Sequence, residues 1–153
     1  MAIYPVGQAL QPPVDRFNGM NALYNIVSMH ELSIAASLVE SAEQAARRAG
    51  AQRVTQVFLR LGALSGVAKD ALLFSYDVAA AGTLLAGSRL VIEDVPVVVH
   101  CEHCRRDVTL PGIQDFRCPI CGQPCAQIIA GRALEIAGIE IEVEDQAALQ
   151  PAT

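Results

Sequence analysis

The sequence predicts an α+β fold, in which a small mixed sheet carries two helices and a cysteine-rich module is inserted before the last strand. Two stretches have helical periodicity, three have the alternation typical of strands, and all five cysteines fall within residues 97–130. With 153 residues, the chain is long enough to bury a real core, which the scarcity of aromatic residues makes largely aliphatic.

The first helix is predicted over residues 30–49, where apolar side chains recur at three- and four-residue steps. Residues 1–28 hold three prolines and no sustained period. We therefore expect a loose N-terminal extension, whose end at residues 22–27 is apolar enough to pack or to begin a strand. Met29 lies directly before the helical pattern and is a second candidate for the start of the protein. The sequence leaves open whether residues 1–28 belong to the mature chain.

The remaining periodic segments describe the sheet and a second helix. They are strands over residues 54–64, 89–94 and 139–143, and a helix over about 69–81. Since the last strand is expected to return to the first sheet, we predict an α/β domain of residues 29–96 plus about 132–145. Residues 97–131 then form a second, inserted domain.

Composition counts against two classes of partner. The chain has a net charge of −5, and Lys69 is its only lysine. Acidic, lysine-poor chains bind neither nucleic-acid phosphates nor anionic membrane surfaces well. The longest uncharged apolar stretch, residues 78–88, is too short to span a bilayer, and the N-terminus lacks the pattern of a signal peptide. We expect a cytoplasmic protein without a nucleic-acid or membrane partner.

Four cysteines have the spacing of a metal site. Cys101 and Cys104 form one pair, Cys118 and Cys121 form another, and thirteen residues separate the pairs. Two such pairs give a closed tetrahedral shell of four sulfurs, with Zn–S bonds near ~2.3 Å. A closed shell leaves no position for a substrate water, so the spacing predicts a structural zinc and a zinc-ribbon module. Iron in a rubredoxin-like site is the alternative that the spacing leaves open.

Three residues near these pairs have roles that the sequence does not assign. His100 and His103 adjoin the first pair and are expected either at the surface or in contact with the ligands. Cys125 is expected to be a spare thiol.

A second site is indicated by a wider pattern, which begins with His30 and Glu31 at the N-terminal end of the predicted first helix. The pattern comprises MHELSIA at 29–35, RLGALSGV at 60–67, GTL at 82–84, and the two cysteine pairs. In this combination the chain closely resembles the HypA/HybF family, the nickel metallochaperones of [NiFe]-hydrogenase maturation. The resemblance extends from Met29 to about Val143.

The resemblance implies that this protein is a metallochaperone and not an enzyme. His30 would bind Ni(II) together with neighbouring backbone nitrogens, and Glu31 would be an accessory ligand or a partner-recognition residue. The implied partners are a HypB-type nickel GTPase and the hydrogenase large-subunit precursor, and a homodimer stays open. One feature departs from the family pattern. Residues 1–28 precede Met29, so the terminal amine that would stand beside His30 is tied up in a peptide bond.

Two other functions fit parts of the sequence. A zinc-ribbon adaptor that binds protein or nucleic acid is the main alternative, and the acidic charge counts against its nucleic-acid form. A small iron redox protein is the other. No Ser/His/Asp arrangement, phosphate loop or carboxylate pair supports hydrolase or kinase chemistry.

Overall fold

The computed structural model describes residues 2–5 and 22–144. In chain order its elements are β1 (Ala2–Pro5), α1 (Ala22–Arg48), β2 (Ala51–Gly62), α2 (Lys69–Ala80), β3 (Arg89–Val95), β4 (Val98–Cys101), β5 (Arg106–Thr109), β6 (Gln127–Ala130) and β7 (Leu134–Val143). Within the described residues, no helix has the length and apolar character needed to cross a bilayer.

The main sheet is mixed, as the sequence predicts. Its strand order is β1-β7-β2-β3, with β2 and β3 parallel and the other two pairings antiparallel. β7 therefore returns to the first sheet after β4, β5 and β6 have formed a separate antiparallel sheet in the order β5-β4-β6. The two-helix α+β fold with an inserted cysteine module is confirmed.

Each of the two sheets has its own core. The larger core is aliphatic and lies between the main sheet and the buried faces of α1 and α2, with Leu38, Leu59, Leu72 and Ile139 among its fully buried side chains. The smaller core surrounds the cysteines and includes Val99 and other valines of the ribbon. A module of this size buries too little apolar surface to fold alone without a cross-link or a metal.

The N-terminal elements differ from the sequence prediction. α1 begins at Ala22 and not at residue 30, so residues 22–27 are helical, whereas the sequence suggested an apolar segment that packs or begins a strand. Residues 2–5, which were expected to be loose, form edge strand β1 against β7. The pairing of β1 with β7 joins residues more than 130 positions apart, and the short-range periodicity of the sequence cannot predict such a contact.

At the predicted domain junction, where the main sheet meets the ribbon, three chain segments lie in close backbone contact. The N–H of Gly62, at the end of β2, donates to the Ala133 carbonyl at 2.8 Å, and the N–H of Leu64 donates to the Gly131 carbonyl at 2.7 Å. A Cβ on Gly62 would overlap both carbonyls, and a Cβ on Gly131 would lie 2.8 Å from the Pro96 carbonyl oxygen. Only glycine allows both connections to the ribbon to lie this close to β2.

Candidate metal centre

The structure brings the four paired cysteines together. Their Sγ atoms all lie within 4.8 Å of one another. Cys101 and Cys121 are 3.6 Å apart and Cys104 and Cys118 are 4.0 Å apart. Tetrahedral coordination with Zn–S bonds near 2.3 Å places sulfurs about 3.8 Å apart. The four sulfurs therefore lie at separations compatible with tetrahedral coordination of one metal ion, and no disulfide joins them.

Both cysteine pairs lie in the same kind of turn. In each, the residue after the second cysteine has a left-handed backbone, with φ 54° at Arg105 and 76° at Gly122. In the first pair the Cys104 N–H donates to Cys101 Sγ at 3.4 Å, and an amide directed at sulfur favours the thiolate, which is the metal-binding form. In the second pair the Gly122 N–H closes the turn by donating to the Cys118 carbonyl at 2.8 Å.

The charge distribution within the cluster also suits a cation. The backbone amide of Cys104 lowers the pKa of the Cys101 thiol to about 6. The hydrogen bond to Cys121, followed by burial, raises the pKa of the Cys104 thiol to about 12. The charge on Cys101 thus opposes the ionisation of Cys104. A divalent cation would remove that opposition because it attracts all four sulfurs.

The fifth cysteine and the two nearby histidines lie outside the four-sulfur group. Cys125 is buried in the same apolar cluster, and burial raises the pKa of its thiol. The His100 ring nitrogen Nδ1 lies 2.7 Å from the Asp107 carboxylate, across the pair of β4 and β5. His103 is exposed. Within residues 2–5 and 22–144, the four cysteines form the one group of three or more His, Cys, Asp or Glu side chains arranged to hold a metal.

The structure separates the two residues expected at the second site. His30 is exposed on α1, whereas Glu31 is 1% exposed, because successive helical residues point about 100° apart. Glu31 Oε1 accepts a hydrogen bond from the Ala68 N–H, just before α2, at 3.2 Å. Its Oε2 has no hydrogen-bond partner among the described residues. Glu31 therefore connects α1 to the beginning of α2 through one carboxylate oxygen.

The connection at Glu31 is a contact that sequence reasoning missed. Glu31 and Ala68 are 37 residues apart, and Ala68 contributes only a backbone amide, which carries no residue-type signal. A carboxylate at this end of α2 is favourable because the first amides of a helix are unpaired and its dipole is positive there.

Comparison with known proteins gives matches over most of the chain. Residues 29–141 match the family model described as "Hydrogenase/urease nickel incorporation, metallochaperone, hypA". Among curated relatives, the hydrogenase maturation factor HypA of Roseiflexus sp. (strain RS-1) is 60% identical over 114 residues, which cover 74% of this chain and 93% of the relative. The hydrogenase maturation factor HypA of Chloroflexus aggregans (strain MD-66 / DSM 9485) is 54% identical over 112 residues, which cover 73% of this chain and 98% of the relative.

Two solved structures have the same fold. The solution structure of the Ni metallochaperone HypA from Helicobacter pylori aligns with a TM-score of 0.55 at 21% identity, covering 74% of this chain and 98% of that one. A second solution structure of a HypA protein aligns with a TM-score of 0.57 at 22% identity, covering 76% and 98%.

Proposed function

Because the chain belongs to the HypA family of hydrogenase and urease nickel-incorporation metallochaperones, we propose that it binds Ni(II) and helps insert it into the large subunit of a [NiFe]-hydrogenase. The observation that carries this proposal is the match of residues 29–141 to the family model, which begins at the Met-His-Glu sequence. Its partners are a HypB-type nickel GTPase and the large-subunit precursor, in the cytoplasm.

The ribbon holds a structural zinc through Cys101, Cys104, Cys118 and Cys121. The sulfur separations support this role, since they agree with tetrahedral coordination. Four thiolates complete the shell of Zn²⁺, so the ion polarises no water and supplies no hydrolytic chemistry. Its contribution is the shape of the module, and the protein acts by carrying metal and not by catalysis.

Nickel binds at His30, whose imidazole is exposed on α1. Ni(II) favours a square-planar arrangement of nitrogen and oxygen donors, which an imidazole and adjacent backbone amides can provide. An exposed site with few protein side chains can also release its ion to a partner. Glu31 is the accessory residue of this site, as a ligand or as a group that a partner recognises. Its hydrogen bond with the Ala68 N–H holds it beside α2, next in sequence to His30.

The position of His30 within α1 sets a condition on nickel binding. Only the first four amides of a helix lack an intrahelical acceptor. In the described structure α1 begins at Ala22, so the amides of His30 and Glu31 lie beyond the first turn and within the helical hydrogen-bond pattern. Nickel binding through these amides therefore requires α1 to unwind as far as Glu31, or a chain that starts at Met29.

The proposal can be tested by complementation of a hydrogenase-producing strain that lacks its own HypA gene. We expect the wild-type gene to restore nickel in the purified large subunit, and His30→Ala to restore at least about tenfold less at low nickel supply, since the loss of even an outer-shell partner of a metal ligand typically costs about 10–100-fold in affinity. High external nickel should rescue the variant. Equal nickel contents with His30→Ala and the wild type at low supply would refute the assignment.

A further inference from the structure

One face of α2 is apolar and exposed to solvent. Leu72, Tyr76 and Ala80 on the opposite face are buried, whereas Phe74 is 72% exposed, Val78 53% and Leu73 36%. Phe74 is the most exposed large apolar side chain among the described residues. Only seven of the residues in the chain are aromatic, and exposed aromatic side chains on rigid elements are typical of protein–protein contact sites.

The same face also carries two acidic side chains beside its apolar ones. Residues 70, 73, 74, 77 and 78 follow the spacing that places side chains on one side of a helix, so Asp70 and Asp77 flank the three apolar residues. Neither aspartate forms an ion pair within the described part of the chain. The one basic residue of α2, Lys69, is paired with Asp94 at 2.8 Å.

α2 is held firmly and lies beside the proposed nickel site. The Tyr76 hydroxyl and Ser88 Oγ are 2.6 Å apart in a buried hydrogen bond. At the other end of α2, the Ala68 N–H is bound by Glu31, the neighbour of His30 in sequence. A molecule that docks on α2 is therefore brought close to the part of α1 that carries His30.

We propose that the exposed face of α2, formed by Asp70, Leu73, Phe74, Asp77 and Val78, is the docking surface for an amphipathic helix of a partner protein, with apolar residues bordered by Lys or Arg. The charges decide between occupants. A second copy of the chain would bring Asp70 and Asp77 against their own symmetry mates, and an anionic membrane would be repelled. This inference rests on the proposed function, since the partner is the one that exchanges nickel with His30.

The test measures the affinity of the full chain for the purified HypB-type GTPase and for the purified large-subunit precursor. We expect Phe74→Ala to weaken binding of one of them by at least about tenfold, as for an aromatic anchor. Asp70→Asn with Asp77→Asn should weaken it about threefold at low salt and reduce its salt dependence. The matched control is Ile120→Ala, which removes a similarly exposed apolar side chain (59%) from the ribbon.

Several outcomes would overturn the docking surface. For the two partner proteins, these are unchanged affinity in both α2 variants, an equal loss of affinity with Ile120→Ala, or failure of the wild-type chain to bind either protein. Conversion of a dimer to a monomer by Phe74→Ala would assign the surface to a second copy of the chain. Binding of the wild type to phosphatidylglycerol vesicles through Phe74 would assign it to a membrane. Nickel titration of the same variants keeps the two proposals separate. Normal nickel affinity in Phe74→Ala with lost partner binding supports the surface, and absence of nickel binding in the wild type refutes the proposed function instead.

Discussion

Glu31 and Ala68 are joined by a hydrogen bond of 3.2 Å between a buried carboxylate and a backbone amide at the beginning of α2. The contact connects the helix that carries His30 to the helix that carries the exposed apolar face. It also gives Glu31 a structural reason to lie next to His30, separate from any contact with metal.

Replacing Glu31 should therefore lower the stability of the fold, apart from any effect on nickel binding. Glu31→Ala removes the acceptor and empties a buried position, and we expect the free energy of unfolding to fall by about 1–3 kcal/mol. Glu31→Gln keeps one carbonyl oxygen for the Ala68 N–H, so its loss should be below about 1 kcal/mol. Urea unfolding of the metal-loaded protein measures both. His30→Ala, an exposed control, should stay within about 0.5 kcal/mol of the wild type, and an equally small effect of Glu31→Ala would disprove the structural role.

The glycines at the domain junction should tolerate no side chain. A Cβ on Gly62 or Gly131 would collide with backbone atoms, and Gly131 also has φ 101°. We expect Gly62→Ala and Gly131→Ala each to lower the free energy of unfolding by roughly 2–4 kcal/mol. Gly112→Ala is the matched control, because its Cβ would meet nothing within 4 Å. Unfolding curves that coincide for all three variants would contradict the close packing.

Zinc removal should unfold the ribbon and leave the larger domain folded, because the two cores are separate and binding of a structural zinc is coupled to folding. Cys121→Ser should lose the bound zinc, and amide exchange should accelerate in β4, β5 and β6 but not in β2 or β7. Cys125→Ala should keep one zinc per chain by elemental analysis, since its thiol lies outside the four-sulfur group. Loss of zinc from Cys125→Ala would contradict the four-cysteine assignment.

Alkaline pH should destabilise the protein through Tyr76. Burial raises the pKa of its phenol above the ordinary 10.0, and Asp77 adds to this, while the hydrogen bond to Ser88 opposes it. A raised pKa means that the fold favours the neutral phenol. The resulting stability is complete below pH 10 and is lost as the pH rises towards the folded-state pKa. Unfolding free energies measured between pH 8 and 11 should fall less steeply in Tyr76→Phe than in the wild type, and parallel curves would exclude this contribution.

Local features of the sequence were the ones that predicted structure well. The spacing of Cys101 and Cys104 sets a local turn, so the metal cluster could be predicted without knowledge of the rest of the fold. The amphipathic pattern of α2 predicted a helix, and the alternation of β7 predicted a strand. β7 begins earlier, at Leu134, than the alternation indicated.

Long-range contacts could not be predicted in this way. The burial of Glu31 depends on a backbone amide 37 residues away, and the need for glycine at Gly62 comes from Gly131 and Ala133 across the domain junction. The sequence grouped His30 and Glu31 because they are adjacent, whereas a helix directs adjacent side chains to different environments.

The central claim is that His30 is the nickel ligand, and isothermal titration with Ni²⁺ tests it most directly. The titration compares the full chain with residues 29–153, each as the wild type and as the His30→Ala variant. His103→Ala serves as the control for an exposed histidine. We expect nickel binding that is strongest in residues 29–153, weaker in the full chain, lost with His30→Ala and unchanged with His103→Ala. Equal affinity of His30→Ala and the wild type would contradict the account.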